Sequence, residues 1–328
     1  MPSDLVSIPE FAKAYPNLAS PKFGTKVLDT SDDFFGAKER MLSDKPPVFI
    51  PDKYDDHGKW MDGWESRRRR DGGHDWSIIE LGVAGYIHGA EIDTAHFTGN
   101  YPPGAMIEAR ISEDDPWTVI LPKVDLSGDK KHFFPINVTG PWRQLRFNIY
   151  PDGGIARLKI YGVVAPINDI EPNGRVIELS ALKNGGRILE YNDAHYGDIW
   201  ALLSEGRGVT MGDGWETRRR REPGNDWMII ALGKPGIVER IEIDTAHFKG
   251  NFPESARVDA GFCESGSVDL KAQSADWGAL LPRTKLSADH IHIFEKADIK
   301  LDKPVTHVKL NIFPDGGVSR FRVFGRGV

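Results

Sequence analysis

A chain of 328 residues is long for one domain and comfortable for two of roughly 100–200 residues each. Its 35 glycines and 22 prolines make about 17% of the residues against a usual ~12%, which favours many turns and short strands over long helices. Hydrophobic residues at 40% exclude wholesale disorder, a net charge of −6 argues against a nucleic-acid partner, and one cysteine, Cys263, excludes an intrachain disulfide and any multi-cysteine metal site.

From the amino end, MPSDLVSIPEFAKAYPN carries Asp4 and Glu10 and no long apolar run, so no secretory signal is expected. No segment approaches the ~18 apolar residues needed to span a bilayer, so the expectation is a cytoplasmic protein that leaves the membrane alone. FFGAKERML (34–42) reads as a helical turn or two, and residues 43–61, with KPPVFIP, as a long loop. DGWESRRRR (62–70) follows, and then WSIIELG (76–82), short, bulky and bounded by turn formers as a strand is. In AEIDTAHF (90–97) the alternation puts Ile92, Thr94 and His96 on one face and Asp93, Ala95 and Phe97 on the other. RFNIYPDGGIARLKIYG (146–162) reads as two strands around a PDGG turn, with Pro151 fixing φ and the glycines permitting positive φ.

After a turn-rich join at 164–180 the chain repeats itself. Residues 62–102 and 213–253 align without a gap, with 26 of 41 positions identical. LPKVDLSGDKKHFF (121–134) matches LPRTKLSADHIHIF (281–294), NIYPDGGIARLKIYG (148–162) matches NIFPDGGVSRFRVFG (311–325), and upstream VLDTSDDFFGAKERML (27–42) faintly matches ILEYNDAHYGDIWALL (188–203). The offset shifts in loops, at 43–61 in the first copy and near 264–275 in the second. Such a period is too long for a solenoid and describes whole domains. The reading is all-β: an extension at 1–19, a β-sandwich repeat at 20–165, a linker at 166–180, and a second sandwich at 181–328.

Chemistry is expected where both copies keep the same polar residues. Asp62, Trp64, Glu65 and Arg67, Arg68, Arg69 recur as Asp213, Trp215, Glu216 and Arg218, Arg219, Arg220. Arginine forks suit a carboxylate held by two hydrogen bonds; a solvated basic run, or pairing with Asp75 or Glu65 to pin the sandwich edge, is the structural alternative. Asp93 and His96, followed by Asn100, recur as Asp244, His247 and Asn251, and an imidazole there can exchange protons near neutrality. Asn148 and Asn311 precede the PDGG turns and can bond a ligand at a site mouth. His74 becomes Asn225 and His88 becomes Glu239, which makes them poor candidates for a shared reaction. No metalloprotease helix, P-loop, nucleophile elbow or dinucleotide fingerprint is present. No cofactor is expected, although a divalent metal held by His, Asp and Glu is compatible with the composition.

The paired DGWE[ST]RRRR and DW-x-II-x-LG…EIDTAHF-x-GN-x-P motifs, each followed by PDGG, resemble the allantoicase family over roughly residues 20–328. The resemblance implies tandem jelly-roll domains like galactose-binding domains, and hydrolysis of allantoate to ureidoglycolate and urea in purine degradation. The residues suit that chemistry: arginines for the carboxylate, Asp, Glu and Asn for the ureido groups, His96 and His247 as proton shuttles. Catalytic roles fall to His96, His247, Asp93, Asp244, Glu65 and Glu216, and substrate binding to Asp62, Trp64, Arg67, Arg68, Arg69, Asn100, Asn148 and their counterparts Asp213, Trp215, Arg218, Arg219, Arg220, Asn251, Asn311. Each copy holds its own site, or the two build one, or one copy is structural. A homo-oligomer is expected. Rival readings are a non-catalytic small-ligand or carbohydrate-binding tandem sandwich, and a urea-releasing enzyme acting on ureidoglycolate.

Overall fold

In the computed structural model, which describes residues 7–165, 175–264 and 269–328, the turn-rich sequence folds into short strands grouped in two units, Met1–Ala165 and Pro166–Val328. The first carries β1 (Lys26–Thr30), β2 (Tyr54–Asp55), β3 (Gly58–Lys59), β4 (Trp64–Glu65), β5 (Asp75–Asp93), β6 (Gly104–Arg110), β7 (Thr118–Asp125), β8 (Lys131–Pro135), β9 (Trp142–Tyr150), β10 (Gly154–Ile155) and β11 (Arg157–Val164). The second carries β12 (Val176–Glu178), β13 (Arg187–Tyr191), β14 (Trp215–Glu216), β15 (Asp226–Asp244), β16 (Ser255–Gly261), β17 (Gly278–Lys285), β18 (Ile291–Phe294), β19 (Val305–Phe313), β20 (Gly317–Val318) and β21 (Arg320–Gly327). The helical turn read at 34–42 is a 3-10 turn, Lys38–Leu42, and the matching segment of the second unit forms another, Ile199–Leu203.

One strand builds each sandwich. The 19 residues of β5 alternate buried and partly exposed positions from Asp75 to Gly85, the pattern of a strand with one face inside. Its first part, Asp75–Glu80, pairs with β1 and β9, and its last part, Gly85–Asp93, pairs with β11 and β8. The register against β9 breaks between Glu80 and Gly85, so the strand leaves one sheet there and enters the facing one. Glycine is needed at that corner: a Cβ on Gly82 would lie 1.8 Å from the Phe23 carbonyl oxygen, and one on Gly233 would lie 1.8 Å from that of Asn184. Antiparallel β1-β5-β9-β6-β7 forms one layer, and in the second unit β15 pairs with β13, β19, β21 and β18 in the same way. Between the layers Ile79, Ile92, Ile107, Phe147 and Ile160 have no exposed surface, each stabilising by about 1.5–3 kcal/mol. Ile230, Ile243, Val258, Leu310 and Val323 do the same in the second unit.

Two boundaries differ from the sequence reading. Leu18 and Ala19 are wholly buried in the first core, so that unit starts before residue 20. β12 pairs with β21 and Leu179 is buried, so the end of the 166–180 linker is part of the second unit, while 166–174 lie outside the described residues. Within the 264–275 loop, 265–268 likewise lie outside them. The alternation read through AEIDTAHF stops at Asp93: Phe97 N–H donates to the Thr94 carbonyl at 3.0 Å, and His96 takes φ 69°. Thr94 is buried because its hydroxyl donates to the Ser127 and Lys130 carbonyls, closing a turn rather than extending a strand.

Candidate active site

The PDGG turn gathers the site. In the first unit the two residues of β4 pair with β10, Glu65 opposite Gly154 and Trp64 opposite Ile155. Asp152 accepts the Arg69 backbone N–H at 2.8 Å, Ser66 and Gly153 exchange bonds, and Gly154 N–H donates to the Asn100 carbonyl at 2.7 Å. Gly153 has φ 142°, and a Cβ there would sit 2.7 Å from the Asn100 oxygen, so only glycine lets the turn touch the Asn100 loop. The second unit repeats the arrangement, with Asp315 on the Arg220 N–H at 2.7 Å and Gly317 N–H on the Asn251 carbonyl at 2.8 Å.

This stitching brings Glu65 and Asn100 together, the Asn100 amide donating to the carboxylate at 2.6 Å; Glu216 and Asn251 make the same bond. Burial pushes the Glu65 carboxyl above its usual range, the Asn100 bond opposing it. In the second unit the pair lines a pocket of about 800 Å³ with Arg219, Tyr196 and Lys285.

The arginines divide by partner. Arg67 donates to Asp32 through its backbone N–H, Nε and Nη2; burial alone would raise the Asp32 carboxyl, but the arginine contacts win and hold it low. Arg69 bonds Asp71 and the buried Asp75, and its hydrogen bond holds Asp71 down at about 2. Arg218 and Arg220 repeat these pairings with Asp193 and Asp226. The expected Asp75 pairing is present, while Glu65 bonds Asn100 instead of an arginine. Arg68 and Arg219 are exposed and have no hydrogen-bond or ion-pair partner among the described residues, so their guanidinium groups are available to a ligand.

Other candidates lie elsewhere. Trp64 and Trp215 have no exposed surface and donate from Nε1 to the Asp32 and Asp193 carbonyls, so they support the site without facing it. Asp62 and Asp213 accept from Arg157 and Arg320 and from the Val48 and Val209 N–H groups, which latches the preceding loop. His96 and His247 turn Nε2 to the Pro47 and Gly208 carbonyls of that loop, at 3.4 and 2.8 Å. Neither His247 nor Asp244 lines the Glu216 pocket. Asp93 is buried, accepts from Ala95 N–H, and is pushed up by that burial; Asp244 sits 3.7 Å from Arg207. Asn148 in β9 and Asn311 in β19 are buried and donate to Glu108 and Asp259. Sequence reasoning missed Asp32 and Asp193, although the faint SDDFFG and YNDAHYG match carried them; it missed Tyr196, which the same match sets against Phe35, and Lys285, which has Asp125 in its place in the first copy. Among the described residues no three His, Cys, Asp or Glu side chains converge as a metal site.

A family model for the allantoicase repeat matches this chain twice, at residues 16–165 and 177–328. The chain belongs to the allantoicase family. It is 50% identical to a Burkholderia mallei protein named "Probable allantoicase 1" over 97% of this chain and 96% of that protein. It is also 50% identical to a "Probable allantoicase" of Ralstonia nicotianae, covering 99% and 98%. The crystal structure of allantoicase from Saccharomyces cerevisiae superposes with a TM-score of 0.78 at 36% identity, over 94% of this chain and 92% of that one. Each of the two matched repeats contains one Glu–Asn–Arg set. Among the described residues no helix is long and apolar enough to cross a membrane.

Proposed function

We propose that this allantoicase family member hydrolyses allantoate to ureidoglycolate and urea at the Glu–Asn–Arg cluster of its units. The observation that carries the site is the pocket joining Glu216, Asn251 and the unpaired Arg219; the first unit repeats the Glu–Asn bond between Glu65 and Asn100, and its unpaired Arg68 lines a pocket with Asp32, Arg67 and Asp75. The arginine fork takes the substrate carboxylate. The asparagine fixes one carboxylate oxygen and leaves the other to reach a ureido nitrogen. A protonated glutamate gives its proton to that nitrogen as the C–N bond breaks, and the electron pair leaves with urea. The remaining ureido nitrogen supplies its lone pair to form an iminium. Water adds to that carbon and returns a proton to the glutamate, which closes the cycle; such a proton donor contributes ~10²–10⁴-fold.

His96 and His247 in this reading position the 47–48 and 208–209 loops, and Asp93 and Asp244 stand behind them. A divalent metal is not needed for any step above. The buried Cys263 thiol fits a reducing cytoplasm, and the charge of −6 fits a small-molecule substrate with no nucleic acid; a homo-oligomer completes the reading, its subunit number read by light scattering. Incubating the protein with allantoate and, separately, with ureidoglycolate, with and without divalent metal, tests the reading by urea release. Faster release from allantoate supports it. No release from either substrate leaves a binding protein, and faster release from ureidoglycolate selects the rival enzyme.

A further inference from the structure

The two clusters share their central residues but not their surroundings. Val48 and Val209 both donate N–H to the aspartate that opens the motif, Asp62 or Asp213. Fourteen positions separate the first pair and four the second, so the first unit carries ten extra residues, Pro51–Trp60. They fold as the β2–β3 hairpin, held by the Trp60 N–H on the Lys53 carbonyl and by Lys53 over the Trp60 ring at 3.6 Å.

The hairpin and its two stems are pinned to the rest of the unit at three points. At its tip, His57 stacks on Phe34 at 4.3 Å, and Phe34 carries Arg67 on its ring and abuts Phe35, whose N–H donates to the Glu65 carbonyl. At its entry, Phe49 lies against His96. At its exit, Met61 is buried with Phe97 and Ala156, and Tyr101, the neighbour of Asn100, packs on that group. The second unit has Gly212 where Met61 stands, Thr210 for Phe49 and His195 for Phe34, and among the described residues no hairpin between Leu203 and Trp215. Glu65 is buried, while Glu216 is partly exposed on the wall of its pocket. At matched register beside β6 and β16 the first unit has Asp125 and the second Lys285, so the open site gains a cation.

We infer that the two sites of the chain are unequal and separate: the Pro51–Trp60 hairpin shields Glu65 and makes the first unit's site the one that turns allantoate over quickly, while the open, lysine-rimmed site of the second unit binds allantoate and turns it over slowly. This rests on the Glu–Asn–Arg reading above. The chemistry asked of Glu65 is the balanced proton transfer already described, and enclosure serves it because burial favours the protonated carboxyl. Charged neighbours do not account for that. Asp32, Asp62 and Asp152 on the flanking segments are taken by Arg67, Arg157 and the Arg69 N–H, Lys38 pairs with Asp33 and Glu39, and His96 faces Pro47.

The test is the steady-state pH profile of the full chain with Glu65→Gln, Glu216→Gln, and a variant with Pro51–Trp60 replaced by two glycines. Glu65→Gln should lower kcat at least 100-fold and Glu216→Gln less than tenfold. Opening the hairpin lowers the Glu65 pKa, so the alkaline limb of kcat/KM should move at least half a unit toward acid. If the shortened chain does not fold, His57→Ala and Phe34→Leu loosen the same lid and should move the limb the same way. Equal losses from the two glutamine variants, or an unmoved limb in a folded lid variant, overturn the inequality. Full activity of both glutamine variants overturns the shared site reading with it.

Discussion

At the scale of the residue, the role proposed for Glu65 trades stability for a proton. Its carboxyl ionises near ~4.3 in an unfolded chain, and burial raises that value in the fold. Whatever the group contributes is therefore fully present below the unfolded pKa and is lost as pH rises through the folded one. Glutamine keeps the acceptor for Asn100 and cannot ionise. Calorimetry should show Glu65→Gln with the parent's Tm near pH 4 and a higher Tm at pH 8, even as activity disappears; an equal difference at both pH values would mean that the charge is not what burial penalises. The arginines make a second test at this scale. Lysine replaces a planar fork by a point charge, so Arg68→Lys with Arg219→Lys should raise KM for allantoate about tenfold, or ~1.4 kcal/mol, with kcat within threefold. A fall in kcat alone would move these residues from binding to chemistry.

At the scale of the element, the PDGG turn matters more than its length suggests. It bonds the arginine segment through Asp152 and the Asn100 loop through Gly154, so strain there disperses the site. Gly153→Ala meets both an unfavourable φ and the Asn100 carbonyl, and should cost about 2–3 kcal/mol in urea unfolding with a loss of turnover beyond that expected from unfolding. Asp152→Asn keeps the shape and weakens one charge-assisted bond, which predicts a smaller loss of about 1 kcal/mol. The tryptophans act from below. Trp64→Phe keeps the packing and leaves the Asp32 carbonyl without its donor, so it should cost about 1–2 kcal/mol and loosen the Arg67 pair.

At the scale of the whole molecule, each unit has its own core and its own corner-turning strand. Ile79 is wholly buried in the first unit and Ile230 holds the matching position in the second. Ile79→Ala should remove about 2–5 kcal/mol and reduce amide-exchange protection across 26–164, leaving 176–327 protected. Ile230→Ala should do the reverse. Loss of protection in both units from either change would mean that they unfold as one.

The duplication, the all-β class and the family were legible in the sequence because they rest on local facts: strand alternation, turn residues, and long motifs repeated in order. Glu65, the arginines and Asn100 were also visible, since both copies keep them. What the sequence left open was which of them meet. Alternation along AEIDTAHF put His96 on one face with Ile92 and Thr94, and its place at a strand end made it a candidate proton carrier, yet the left-handed turn after Asp93 aims its ring at a loop carbonyl. Trp64, Asp62 and Asn148 looked like site residues, but their partners are remote in sequence, and burial assigns them to support. Sorting four adjacent arginines into paired and free needed Asp32 and Asp75 to be in place. Hydrogen bonds and burial between distant segments follow from how the sheets pack, and only the tertiary structure fixes that.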